Sequence, residues 1–250
     1  MERHVSKTPV SIALSVRALG KDFGELQALR DVSFDAHEQE MLAVVGPNGA
    51  GKTTLLSIIA GTQTPSSGEV SVPAPAAGHG RAVGWAPQQP ALYSKLSVAE
   101  NMRLFARLEG VADPEAEVAR MLEQTGLRSR ADELLGRLSG GNRQRVNVAV
   151  GLLGDPPVLA LDEPSSALDS RQRERLWRFV RTLADAGTSV IFSTHNVGEA
   201  QRYGDRVIVL DEGRMVFDGT TEALMQAAPA GAGGDFEQAL LAFLSEGHEL

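Results

Sequence analysis

Residues 46–53 carry the residue types that bind phosphate, between an apolar run at 41–45 and a helix-like run at 54–60. Their glycines let backbone N–H groups surround phosphate oxygens, and the helix that follows adds the positive end of its dipole. In such a loop the lysine reaches the β- and γ-phosphates and the threonine hydroxyl binds Mg²⁺. The order of strand, loop and helix therefore predicts a nucleoside triphosphate site rather than a plain glycine-rich turn. The expected nucleotide-binding residues are Gly46, Pro47, Asn48, Gly49, Ala50, Gly51, Lys52, Thr53 and Thr54, with Lys52 also catalytic and Thr53 also a metal ligand.

Two adjacent acids, Asp162 and Glu163, end a second apolar run at 157–161. Open α/β sheets gather their ligands at the carboxyl ends of their strands. Asp162 fits the carboxylate on the Mg²⁺ side of a phosphate-loop ATPase. Glu163 is then placed to orient an attacking water or accept its proton. The alternative is a merely solvated strand end, but the register to the phosphate loop favours a hydrolytic site.

A second glycine-rich stretch, at 138–145, precedes a helical apolar run at 146–153. Ser139 and the amides of Gly140 and Gly141 would lie at the N-terminus of that helix, which makes a second anion site. The chain thus contains two phosphate-binding segments far apart in sequence.

Together these motifs resemble the ATP-binding subunits of ATP-binding cassette (ABC) transporters over residues 10 to about 220. Residues 138–142 look like the signature motif, with Asn142 where glutamine is commonest. The resemblance implies that ATP and Mg²⁺ are the ligands. It also implies that Gln88, more than neighbouring Gln89, touches Mg²⁺ or water and links the site to a transmembrane partner.

The resemblance assigns three further positions. Residues 165–169 match the D-loop, and His195 matches the switch histidine expected near the γ-phosphate. Phe23 stands where family members place an aromatic that stacks on adenine, although a strand-core role is nearly as compatible with the sequence.

In this family the signature segment completes the ATP site of a second nucleotide-binding subunit. We therefore expect two chains, identical or different, to close head to tail around two nucleotides. Transmembrane permease subunits would dock at the Gln88 region and at 89–154. The resemblance is to export-type systems on the cytoplasmic face of the cell membrane, with the transported molecule determined by the other chains.

The amino-acid composition argues against several classes of function. Acidic residues outnumber basic ones, 32 to 24, so the net charge of −8 disfavours nonspecific nucleic-acid binding. The sequence has no cysteine, and its five histidines are scattered, so the expected metal is the one that comes with nucleotide. A soluble ABC-type ATPase of non-transport function, such as an iron-sulfur assembly scaffold, stays open.

Membrane contact is expected only through a partner. The first apolar run, 10–16, is too short for the core of a signal peptide. The sequence also lacks the roughly 18 consecutive apolar residues that a spanning helix requires.

The elements that position these motifs follow from the apolar pattern. Several strand-like runs are continuously apolar, which is typical of strands buried on both faces and predicts an α/β fold with a mostly parallel sheet. With the resemblance, this indicates a phosphate-loop NTPase core that carries an N-terminal antiparallel β region and a helical subdomain. The expected strands are 10–16, 29–34, 41–45, 82–86, 158–161, 189–193, 206–210 and 214–217.

Helix signals occur mainly in the middle of the chain. Ser97 and Glu100 form a capping box, and Asp113 followed by proline starts a further helix. Asp169 suits the N-cap of a later helix.

The expected domain is a nucleotide-binding domain at 1–226. Its core is 1–88 and 155–226, and 89–154 is the helical subdomain. Residues 72–80 are expected to form a surface loop. Residues 227–250 are expected to be a flexible linker and a C-terminal helix that docks weakly or moves.

Overall fold

The computed structural model describes residues 11–73, 81–228 and 235–245. The strands are β1 (Ile12–Phe23), β2 (Leu26–His37), β3 (Met41–Val45), β4 (Ser67–Ser71), β5 (Val83–Ala86), β6 (Val158–Asp162), β7 (Ser189–Ser193), β8 (Arg206–Asp211) and β9 (Arg214–Gly219). The helices are α1 (Lys52–Ile59), α2 (Val98–Leu108), α3 (Pro114–Gln124), α4 (Gly140–Gly151), α5 (Ser170–Asp185), α6 (Val197–Tyr203), α7 (Thr221–Ala227) and α8 (Phe236–Ser245).

The larger sheet has the strand order β5-β6-β7-β3-β8-β9, and every neighbouring pair is parallel except β8 and β9. All residues of β3, β6 and β7 are buried, as their continuous apolar sequences predict. Ser193, the last residue of β7, pairs with Val44 on one side and Asp162 on the other. The carboxyl ends of β3, β6 and β7 therefore meet at one edge of the sheet.

A smaller antiparallel sheet has the order β2-β1-β4. Strand β4 was not among the expected strands, because its sequence Ser-Gly-Glu-Val-Ser has only one apolar residue. In the structure most of its residues are exposed. It is formed by pairing with β1, where Ser15 lies opposite Ser71 and Val16 opposite Val70. Here tertiary pairing overrides a weak local pattern.

The predicted helix starts are confirmed. Both hydrogen bonds of the capping box form at α2, where Ser97 accepts from the Glu100 N–H and Glu100 accepts from the Ser97 N–H. Asp113 caps α3 with proline in its first turn, and the Asp169 carboxylate accepts from the Gln172 N–H at the start of α5. These caps satisfy N–H groups that a helix cannot pair internally.

Buried apolar side chains form a cluster on each face of the larger sheet. Helix α8 adds to one of them, because Phe236 is fully buried and the Phe243 ring lies 5.8 Å from that of Phe217, edge to face. The C-terminal helix thus packs firmly against the domain, where the sequence predicted weak docking or motion. The expected linker lies mostly outside the described residues, as do residues 74–80 of the expected loop.

None of the helices in the described ranges is both long enough and apolar enough to cross a bilayer.

Candidate nucleotide site

The phosphate loop connects β3 to α1, and three of its glycines have positive φ: 149° at Gly46, 85° at Gly49 and 102° at Gly51. A Cβ atom on Gly46 would lie 2.0 Å from the Leu210 carbonyl oxygen, and one on Gly51 would lie 2.5 Å from that of Ala28. Only glycine fits these two positions. Gly51 caps α1 without any side-chain hydrogen bond, so the first N–H groups of the helix stay available to an anion.

Lys52, the first residue of α1, is 6% exposed. Its Nζ donates to the carbonyl oxygens of Gly46 at 2.7 Å and Pro47 at 2.9 Å. Burial lowers the pKa of Lys52, while the nearby charges of Glu163 and Asp162 act in the opposite direction. A buried ammonium held by neutral carbonyls, beside free helix N–H groups, fits a triphosphate as its counter-ion.

Asp162 ends β6 next to Thr53. The Thr53 hydroxyl donates to Asp162 Oδ1 at 3.2 Å. A hydroxyl beside a carboxylate, one residue after the phosphate-loop lysine, is the donor set that Mg²⁺ uses in phosphate-loop ATPases. The residues present therefore fit the ion that the sequence predicts.

Ser193 holds the two acids in place, and the sequence reasoning did not single it out. Its buried hydroxyl donates to Asp162 Oδ1 at 2.6 Å and accepts the Glu163 N–H at 2.9 Å. A polar residue at the end of the apolar run 189–193, beside the Thr194-His195 pair, was the available signal.

Glu163 lies at the centre of the expected hydrolytic residues. Its φ is +45°, in the left-handed region that costs a non-glycine residue free energy and often marks a functional site. Its Oε2 accepts the Gln88 Nε2–H group at 3.2 Å and lies 2.8 Å from His195 Nδ1. Residues far apart in sequence thus meet at one carboxylate.

Glu163, Gln88 and His195 line one cleft of about 540 Å³ together with residues of the phosphate loop. Phe23 lies in its wall, next to Leu26 and Ala28, and is 46% exposed rather than part of the strand core. Lys21 Nζ lies 5.0 Å from the centre of the Phe23 ring. The cleft is lined by Phe23, Leu26, Ala28, Asn48, Gly49, Gly51, Lys52, Thr53, Thr54, Gln88, Glu163 and His195.

The second glycine-rich segment is not part of this cleft. Ser139 caps α4, its hydroxyl accepting the Asn142 N–H at 3.4 Å. A Cβ atom on Gly141 would lie 3.1 Å from the Gln172 side chain, which places the segment beside the start of α5. Ser139, Gly140 and Gly141 are thus absent from the cleft that Lys52, Thr53 and Glu163 line.

A phosphate loop at the strand ends of a mostly parallel sheet, facing an Asp-Glu pair, defines the chain as a phosphate-loop ATPase. The family model described as ABC transporter matches residues 29–166. The chain belongs to the ABC transporter family, in which it is an ATP-binding and ATP-hydrolysing subunit that powers transport. A soluble scaffold function is not favoured by these matches.

Curated relatives carry the same kind of name. The chain is 37% identical over 221 residues to Nod factor export ATP-binding protein I of Burkholderia orbicola (strain AU 1054), which covers 86% of this chain and 73% of that relative. It is 36% identical over 215 residues to the ABC transporter ATP-binding protein YxlF of Bacillus subtilis (strain 168), covering 85% and 72%.

Solved structures have the same fold. One, described as the ATP binding subunit of an ABC transporter, has a TM-score of 0.78 at 27% identity and covers 94% of this chain and 100% of its own. Another is a dimeric ATP-binding cassette in a post-hydrolysis state bound to ADP and Pi. It has a TM-score of 0.72 at 26% identity and covers 83% of this chain and 98% of its own.

Proposed function

We propose that this chain binds ATP with Mg²⁺ in the cleft, hydrolyses it within a head-to-tail pair of nucleotide-binding subunits, and drives export through separate permease subunits at the cytoplasmic face of the membrane. The names of the Burkholderia relatives support export, and the dimeric cassette in the post-hydrolysis state supports the pairing. The single observation that carries the proposal is the meeting of Glu163, Gln88 and His195 beside the phosphate loop.

The phosphate groups bind to the loop amides, the α1 N-terminus and Lys52, which leaves its carbonyl partners for the β- and γ-phosphates. Thr53, Asp162 and Gln88 would hold Mg²⁺, and the bound ion would neutralise charge on the phosphate oxygens. Glu163 orients the attacking water and accepts its proton, and His195 keeps that carboxylate in position. This chemistry depends on positioning and charge stabilisation more than on covalent catalysis.

Adenine is proposed to stack on Phe23, whose exposed ring lies in the cleft wall. At this end of the cleft Leu26 and Ala28 add further apolar surface.

The signature segment is proposed to bind the γ-phosphate in the partner's site. Ser139, Gly140 and Gly141 lie at a helix N-terminus and do not line the cleft of their own chain, which supports a role in trans. ATP then bridges the two subunits, and hydrolysis removes that bridge.

A separate groove is the proposed permease site. It has a volume of about 150 Å³ and lies between the strand end at Trp85 and the helices α2 and α4, with Phe105 and Asn147 in its wall. Asn147 is buried, and its Nδ2 donates to the carbonyl oxygen of Pro87 at 2.9 Å. Because Pro87 precedes Gln88, this hydrogen bond connects the groove wall to the nucleotide site, and a permease segment docked in the groove would act on Gln88 through it.

Glu163→Gln tests the hydrolytic role. The variant should keep ATP affinity, lose hydrolysis by a factor on the order of 100 or more, and accumulate as a dimer with ATP and Mg²⁺ in gel filtration. Glu174→Gln, which changes an exposed acid on α5, is the matched control and should behave as wild type. A Glu163→Gln protein that stays monomeric with ATP bound contradicts the head-to-tail pair.

Purification from detergent extracts tests the transport role. A stable complex with an integral membrane protein is expected. Isolation with soluble assembly factors alone would favour the scaffold alternative.

A further inference from the structure

Glu199, on α6, is a buried carboxylate outside the nucleotide cleft, with 3% of its surface exposed. The Ser165 hydroxyl donates to its Oε1 at 2.6 Å, and the Thr194 hydroxyl donates to its Oε2 at 2.8 Å. Arg173 Nε lies 3.0 Å from Oε1 and supplies the counter-charge. Both oxygens are thus paired, as a buried carboxylate requires.

The two hydroxyls belong to the loops that carry the hydrolytic residues. Ser165 follows Glu163 by two positions after β6, and Thr194 directly precedes His195 after β7. One side chain therefore connects the two loops, with one carboxylate oxygen for each.

The contact between His195 and Glu163 needs such support. The His195 side chain is 56% exposed, so burial does not fix its position. Glu163 has left-handed backbone geometry, which persists only where the surrounding structure holds it. Ser193 fixes the Glu163 N–H from one side, and the Ser165 bond to Glu199 fixes the chain just after it.

We infer that Glu199 is a positioning residue for hydrolysis, which ties the loop after β6 to the loop after β7 and so keeps His195 in hydrogen-bond contact with Glu163. The inference rests on the proposed roles of Glu163 and His195. It requires no proton transfer through Glu199. A displacement of about 1 Å at a reacting group can lower the rate about 100-fold. A small loosening of the connection between the two loops is therefore enough to slow hydrolysis.

Glu199→Gln is the first test, because it keeps the side-chain volume, replaces one acceptor by a donor and removes the charge that faces Arg173. Hydrolysis should slow by about 10- to 100-fold in kcat, with KM and ATP affinity changed by less than about twofold. Glu117→Gln is the matched control. Glu117 is also a largely buried carboxylate, paired with Arg120 and the Gly154 N–H, but it contacts neither loop.

Both variants are expected to lower the melting temperature, and only Glu199→Gln is expected to lower kcat. Equal kcat values in the two variants would overturn the inference. If Glu199→Gln does not fold, Thr194→Val removes the Oε2 bond, together with the bond that the Asn196 N–H donates to the same hydroxyl, and should slow hydrolysis, while Thr194→Ser should restore it. A Thr194→Val protein with wild-type kcat would count against the inference in the same way.

A double-variant comparison separates positioning from general loss of stability. The hydrolysis rate of Glu199→Gln is measured alone and in a His195→Ala background. Single-turnover conditions are used so that the rates of slowly hydrolysing variants can also be compared. If Glu199 acts through the His195 contact, it should add little to His195→Ala. Fully multiplicative losses would show that the two residues act independently.

Glu163→Gln, assayed in parallel, distinguishes this inference from the function on which it rests. Wild-type hydrolysis by Glu163→Gln would refute the proposed catalytic site itself. Slow hydrolysis by Glu163→Gln, together with multiplicative losses in the double variant, would refute only the role of Glu199.

Discussion

Nδ1 of His195 lies 2.8 Å from Oε2 of Glu163, so each side chain restricts the orientation of the other. An ionised carboxylate only accepts hydrogen bonds, which assigns the imidazole proton to Nδ1 and leaves Nε2 for a second partner. The same oxygen accepts from Gln88 at 3.2 Å. Glu163 is therefore held by two donors that belong to two different loops.

Replacing His195 by alanine should lower kcat by a factor on the order of 100 and leave ATP affinity near wild type. The reason is that His195 orients Glu163, whereas the phosphate loop supplies the binding energy. Steady-state hydrolysis and calorimetry measure the two quantities. His37→Gln, at the end of β2 and outside the cleft, serves as the control, and equal effects of the two substitutions would contradict the assignment.

Ser193→Ala should lower both stability and kcat. It leaves the Glu163 N–H without its buried partner, which costs about 1–3 kcal/mol of unfolding free energy, and it frees Asp162 Oδ1 from one donor. Ser189→Ala is the matched control, because Ser189 is equally buried in β7 and donates to the His37 carbonyl oxygen at 2.7 Å. Thermal melts should shift in both variants, and a normal kcat for Ser193→Ala would exclude a positioning role.

Lys52→Ala should lose ATP affinity in calorimetry, because no other described lysine lines the cleft. Lys95→Ala, at an exposed turn position, should bind ATP as wild type. Unchanged ATP binding by Lys52→Ala would rule out its place in the phosphate site.

The lowered pKa of Lys52 also predicts an effect of alkaline pH. Between its folded pKa and the ordinary value of 10.5, the unfolded chain binds the Lys52 proton more tightly than the folded protein. In that window the Lys52 contribution to stability should rise with pH, whereas ATP affinity should fall as the ammonium charge is lost. The difference between wild-type and Lys52→Ala melts, recorded with the calorimetric titrations, isolates this contribution. Stability and affinity contributions that move in the same direction would contradict the prediction.

Phe23→Ala should weaken ATP binding by about 1–3 kcal/mol, the usual range for one base stacked on an aromatic ring. Phe23→Tyr should retain affinity because it keeps the ring. Leu108→Ala removes an exposed apolar side chain from α2, outside the cleft, and is the control. Wild-type affinity in Phe23→Ala would place adenine elsewhere.

The sequence identified the residues with strong chemical signatures. The phosphate loop and the Asp162-Glu163 pair each follow an apolar strand, so the rule that ligands gather at strand ends predicted that they meet. The family resemblance, rather than this rule, assigned His195. The helix caps at Ser97, Asp113 and Asp169 were also predicted, because a cap depends only on residues that are near one another in sequence. The assigned roles of the site residues stay predictions.

The features that the sequence did not reveal depend on contacts between distant segments. Strand β4 has almost no apolar pattern and exists through its pairing with β1. Ser193 and Glu199 are ordinary residues until the fold places their side chains against Asp162 and Ser165. Phe236 was expected to lie on a weakly docked tail, and only the packing of α8 shows that it is buried.

Ser193 pairs with Val44 in β3 and with Asp162 in β6, so the register of β7 sets the relative positions of the hydrolytic groups. Since side chains alternate along a strand, a slip of one residue would turn the Ser193 hydroxyl to the other face and separate the two acids from it. Alignment of Ser193 with the two acids is thus a property of the sheet, whereas the contact between His195 and Glu163 also depends on the two loops that Glu199 connects. On heating, the alignment of Ser193 with Asp162 and Glu163 should therefore persist until the central strands separate.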